Sequence, residues 1–208
     1  MEKSISKDTR AALINAAERL FAEKGVGTVS ARDIARAAAA RNESAVQYHF
    51  GSVDSLIRAV ISDRARQIDE ARLATLAELD AAGDGTNMLK LIEAAIAPVM
   101  RACDDENGQL FMLFLVQLTA DPRFNIEEIV ADAIPDSISI LTDRIRTLLH
   151  HLPSETRDRR MRMMSIIGIN IAADHARLLK HGRAPNIDQA IEEAVVSMSG
   201  FLQAKARM

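Results

Sequence analysis

Residues 28–49 concentrate side chains suited to contact with a nucleic acid. Asn42, Glu43, Ser44, Gln47 and Tyr48 occupy the positions that a short helix would expose. Gln and Asn pair with adenine edges, Ser serves several bases, and Glu accepts from cytosine N4. Arg32 and Arg41 suit phosphate or guanine contacts. Thr28 and Ser30 stand at the entrance to another short helix, where exposed backbone amides favour a phosphate.

Enzyme chemistry finds no comparable cluster. His150 and His151 are adjacent, and neighbouring helical residues point about 100° apart, which makes a poor joint metal site. The sequence contains no Gly-rich phosphate loop, nucleophile elbow or HExxH motif. Cys103 is the only cysteine, which rules out an internal disulfide and a thiolate metal cluster. Its expected role is helix packing. No catalytic residue, metal or cofactor is expected.

The elements that must hold these residues are helical nearly throughout. Apolar residues recur with helical period, strand alternation is almost absent, and good helix formers dominate the 208 residues. The first helix is expected from about Lys7 to Lys24, stopped by Gly25. Ser30 caps a second helix, with Asp33 three residues on. A third covers about Glu43 to His49, with Asn42 as cap. Ser52 caps a long fourth helix that reaches the loop at Ala82–Thr86 and bridges two functional regions. Further helices are expected at about 87–103, 108–120 and 124–151, the last interrupted by Pro135. Ser154 caps the next, which ends near His181-Gly182. Asn186, with Gln189 three residues on, opens the final helix, which runs to about Ala204. The expected class is all-α with about nine helices.

Charge follows the same division. Residues 1–58 carry nine Lys/Arg against seven Asp/Glu, whereas residues 59–208 carry 17 against 22. A mildly basic front end fits DNA contact there. No uncharged apolar run is long enough to span a membrane, and the N-terminus lacks the apolar core of a signal peptide. The expected compartment is the cytoplasm, with no membrane partner.

Two short helices after a longer supporting helix form the outline of a helix-turn-helix. The segment resembles the TetR family of repressors through Arg10, Ile14, Ala16-Ala17, Leu20-Phe21-Ala22, Gly25, Thr28, Ser30, Ile34-Ala35, Tyr48-His49-Phe50-Gly51-Ser52 and Leu56. The resemblance spans about 50 residues and implies that Tyr48 and His49 lie beside the DNA backbone, positioning the protein. Ile34, Ala35, Ala38, Val46 and Phe50 are expected as core. Three positions depart from the family pattern. The turn reads Ala38-Ala39-Ala40-Arg41 without the usual Gly, and one residue longer than the commonest form. Gln47 stands where Tyr is frequent, and Val53 where Lys is usual. A different operator or modest affinity is therefore expected.

The resemblance also implies a boundary after residue 52, with residues 53–208 holding a ligand cavity and the dimer contact. Among apolar candidates for the cavity are Met100, Cys103, Phe111, Phe114 and Leu115. Leu118, Leu141, Ile145 and Met164 extend the set, and His175 beside Asp174 is its polar cue. Plain intrachain core is the competing reading for each. The last two helices are expected to hold a homodimer through Gly168, Ile171 and Ala172 on one. Ile191, Ala194, Val195, Met198, Phe201 and Leu202 are the candidates on the other. The implied function is a dimeric repressor of double-stranded operator DNA, released by a small, largely apolar effector of unknown identity. A helical binding or scaffold protein without DNA function is the alternative.

Overall fold

The computed structural model describes residues 2–124 and 136–205, with side chains from residue 8 onward. The described residues form nine α-helices and two short 3-10 turns. They pack as two compact units, one of residues 2–65 and 113–124, the other of 66–112 and 136–205. The first unit thus takes in the start of the fourth helix and a later segment, beyond the boundary expected after residue 52.

In the first unit, α1 (Glu2–Lys24) begins before the expected Lys7. A 3-10 turn (Val26–Thr28), α2 (Ala31–Ala37), α3 (Ala45–Phe50) and the start of α4 (Val53–Ala82) follow. The end of α6 (Glu106–Ala120) completes the unit. Leu13, Ala17 and Phe21, four residues apart, form the wholly buried stripe of α1. Phe21 stacks on Phe114 of α6, ring centroids 5.6 Å apart. Glu18 lies on the same face and is only 2% exposed. The Arg64 guanidinium of α4 meets its carboxylate with two hydrogen bonds, of 3.0 and 2.9 Å.

Local chemistry sets the ends of these helices. Gly25, at φ +85°, donates its N–H to Phe21 O as α1 stops. The Ser30 hydroxyl accepts from Asp33 N, and the Asp33 carboxylate accepts from Ser30 N, completing the capping box that starts α2. Hydrogen bonds from the Ser30 hydroxyl and N–H hold the Asp33 carboxyl below the usual carboxylate range. Helix α3 starts two residues later than expected, with Ser44 at its cap position. The reason is that Asn42 Oδ1 accepts from Ser44 N at 2.9 Å, forming a turn ahead of the helix. Ser52 caps α4 by accepting from Ser55 N at 3.0 Å.

The turn after α2 closes without glycine. Ala40 N–H donates to Ala35 O and Ala39 N–H to Arg36 O, the paired bonds of a Schellman ending. This forces Ala39 to φ +49°. An L-residue there costs roughly 1–2 kcal/mol, whereas Gly adds about 0.4–1 kcal/mol of unfolded-state entropy. Ala39→Gly is therefore expected to raise stability by up to about 1 kcal/mol. Urea midpoints of the two proteins check this; a lower midpoint for Ala39→Gly would mean the turn is not strained.

The second unit contains the rest of α4, α5 (Met88–Arg101), a 3-10 turn (Ala102–Asp104) and the start of α6. Helices α7 (Asp136–Leu148), α8 (Ser154–Lys180) and α9 (Ile187–Gln203) follow. The Pro135 interruption and the expected helix before it lie outside the described residues. Pro153 rather than Ser154 takes the cap position of α8, because its extended backbone (ψ 139°) already leads into the first turn. Asn186 caps α9 through Asp188 N–H at 2.9 Å, so its bond skips the expected partner Gln189.

Helix α9 packs on α5 and α8. On α5, Leu91, Ile92, Ala94, Ile96, Val99 and Met100 are buried. Gly168 of α8 lies within this core: a Cβ there would make ordinary contacts, 3.4 Å from Ile96 Cδ1 and 3.6 Å from Met198 Cε. Met198 is 3% exposed, and Ile191, Ala194, Val195, Leu202 and Ala172 are likewise buried. Ile171 and Phe201 are half-buried. Most residues of the expected dimer set therefore lie in the core of the single chain. The apolar side chains that α8 and α9 leave open are Met163, Ile166 and Val196, the last 58% exposed.

Candidate DNA interface and binding cleft

Helix α3 has two unlike faces. Ala45 and Val46 are buried, and α3 packs on α2 through Ile34 and Ala35 of that helix, which are also buried. Ser44, Gln47 and Tyr48, at helical spacings of three and four, are exposed. Tyr48 is 81% exposed, and its ring meets that of His49 edge-on at 4.9 Å. His49 is half-buried. Phe50 and Ala38, expected as core, are only half-buried; the Arg10 guanidinium covers the Phe50 ring at 5.0 Å.

The flanking candidates, Thr28, Ser30, Arg32, Arg41, Asn42 and Glu43, are exposed. Some are already occupied. Arg32 and Glu43 form an ion pair of 2.8 Å, with both side chains more than half exposed. Such a pair contributes about 0–1 kcal/mol, so Arg32 can exchange Glu43 for a phosphate at small cost. The Thr28 hydroxyl donates to Lys24 O at 2.7 Å, and the Ser30 hydroxyl donates to Asp33 at 2.6 Å. These two side chains serve helix ends first.

The arrangement is a supporting helix, a short helix, a tight turn and a second short helix with one polar face outward. A family model described as bacterial regulatory proteins of the tetR family matches residues 13–60. A second, described as the tetracyclin repressor-like C-terminal domain, matches residues 93–204, more than half of the chain. The chain belongs to the TetR family.

Solved structures share the fold. NalD of Pseudomonas aeruginosa, the secondary repressor of the MexAB-OprM multidrug efflux pump, is 23% identical, with 93% of this chain and 96% of that one covered at a TM-score of 0.59. A TetR-family transcriptional regulator from Rhodococcus sp. is 16% identical, covering 94% and 99% at a TM-score of 0.62. PfmR of Thermus thermophilus is 18% identical, covering 94% and 96% at a TM-score of 0.51. At these identities the likeness concerns the fold. A search of curated proteins found no match.

In this TetR-family chain the second unit holds an open cleft of about 360 Å³. Met100 and His175 are the two expected pocket residues that line it. The other eight do not. Cys103, Phe111, Leu141, Ile145 and Met164 are buried in the second unit, and Phe114, Leu115 and Leu118 are buried in the first. Cys103 has a packing role: its thiol reaches Val99 O and Ala172 O, each at 3.7 Å, and burial pushes its pKa up to about 12. Such a thiol is unreactive at neutral pH.

The sequence reading also missed buried charge on α4. Arg72 is 8% exposed and donates from Nε and Nη2 to Ala95 O of α5; burial pushes its pKa down to about 10, opposed by nearby Asp69. The available signal was position: Ala65, Ile68, Asp69, Arg72, Leu76 and Leu79 share one helical stripe, so two charges interrupt an otherwise apolar face.

No helix among the described residues is long and apolar enough to cross a membrane.

Proposed function

We propose that this chain is a repressor that binds a near-palindromic operator as a homodimer and leaves it when a small, largely apolar effector binds the second unit. The reading rests on α3, whose Gln47 and Tyr48 project outward over a buried Ala45-Val46 backing. A helix held this way suits insertion into the major groove. The competing reading, a helical binding or scaffold protein without DNA contact, leaves that face without a role.

Within this function, Gln47 reads bases and Tyr48 positions the backbone. Gln47→Ala is expected to relax preference at one base pair, at a cost of roughly 1–3 kcal/mol there. Tyr48→Phe weakens all sites about equally, since phosphate contacts carry no sequence information. Binding to a panel of single-base operator variants, after selection of an operator from genomic fragments, separates the two. An unchanged preference profile in Gln47→Ala would reject the assignment.

The open apolar positions Met163, Ile166 and Val196 support α8 and α9 as the dimer surface. Helix α4 supplies residues to both units, so it carries the coupling between effector and operator. An effector shifts DNA affinity only by favouring one arrangement of that helix over another.

A further inference from the structure

The cleft in the second unit has a mixed lining with one sign of charge. Met100 of α5, Ile171 and Leu178 of α8, and Ala190 and Ala194 of α9 supply an apolar surface. His175 lines it while being only 3% exposed, and neither of its ring nitrogens has a hydrogen-bond partner among the described residues. A neutral imidazole carries one donor and one acceptor. Burying both unpaired leaves their lost hydration uncompensated, an arrangement that a bound polar group relieves. Asp174 and Glu193 also line the cleft and are exposed, whereas no Lys or Arg does so among the described residues.

We propose that this cleft takes a small amphipathic cation: an organic amine whose apolar body lies on Met100, Ile171 and Leu178 and whose ammonium donates to His175. The carboxylates of Asp174 and Glu193 meet its charge and disfavour anions. The cleft volume, about 360 Å³, suits a compact ligand, since small-molecule sites span roughly 300–1,000 Å³. The inference rests on the second unit being the effector unit and adds the location of the site and the chemistry of the head group.

Three probes with one apolar body test it: 1-naphthylmethylamine, 1-naphthalenemethanol and 1-naphthoate. The chain has no Trp, so naphthyl fluorescence reads binding directly. The amine is expected to bind about tenfold more tightly than the alcohol, as a charge-assisted contact should, and the carboxylate most weakly. Glu193→Gln, at an exposed position, should remove much of the amine's advantage while leaving the alcohol unchanged. His175→Phe should weaken both amine and alcohol, and Ala190→Phe should obstruct the cleft; circular dichroism verifies that each variant is folded. The proposal is overturned if no probe binds, if the carboxylate binds as well as the amine, or if folded Glu193→Gln and Ala190→Phe proteins bind the amine unchanged. Operator binding is measured separately. Cleft-dependent amine binding that leaves the operator bound supports the site and rejects release by that ligand. Operator release by the amine that survives Ala190→Phe overturns the site and leaves the repressor reading standing.

Discussion

Met198→Glu is expected to unfold the second unit, whereas Val196→Glu is expected to keep the fold and split the proposed dimer. The two positions are separated in α9 only by Ser197, yet their surroundings differ. Met198 is 3% exposed and approaches Gly168 of α8; Val196 is 58% exposed. An unpaired charge at Met198 has no partner in an apolar core, and the penalty is about 3–5 kcal/mol by analogy with broken buried ion pairs. That is a large share of the roughly 5–15 kcal/mol that keeps a domain folded. A charge at Val196 faces water in one protomer and becomes costly only when a second covers it. Thermal melts followed by circular dichroism, with sedimentation at matched concentration, distinguish the outcomes. A folded, dimeric Val196→Glu protein would place the interface elsewhere; a fully stable Met198→Glu protein would contradict the packing of α9 on α8.

Arg64→Ala is expected to destabilise the first unit by about 3–5 kcal/mol. Glu18 is almost completely buried, and Arg64 meets it with a two-pronged hydrogen bond from α4. Removing the guanidinium strands a carboxylate in low dielectric, where its charge is costly to hold. Replacing both residues by apolar side chains, as in Glu18→Leu with Arg64→Met, should recover most of the loss, because the pair's desolvation cost disappears with its attraction. Urea denaturation of the single and double variants gives the comparison. A double variant no more stable than Arg64→Ala would show that the pair holds α1 and α4 in register by more than charge compensation. Because α4 continues into the second unit, the operator affinity of the folded double variant also tests whether this pair matters to the DNA-binding arrangement.

What the sequence determined by itself is local or densely patterned. The Ser30–Asp33 box, the Ser52 cap and the Asn186 cap require only groups two or three residues apart. The Gly25 ending needs only φ freedom at one residue. The family motif is legible because helix ends, core residues and outward polar residues recur together over one short stretch. Even there, the start of α3 moved, since Asn42 had a nearer amide to satisfy.

Tertiary structure alone decided which buried face meets which partner. Helical periodicity marks Phe114, Val195 and Met198 as apolar-face residues, and it is identical for a core, a pocket and a dimer seam. Only three-dimensional packing places Phe114 on Phe21 and Met198 beside Gly168. The same holds for polar groups. Nothing in the composition of α8 shows that His175 lacks a partner among the described residues, or that Glu193 of α9 lines the same cleft. Hydrogen-bond satisfaction and cleft shape depend on residues distant in sequence, and a period counted along one helix carries no information about its neighbour.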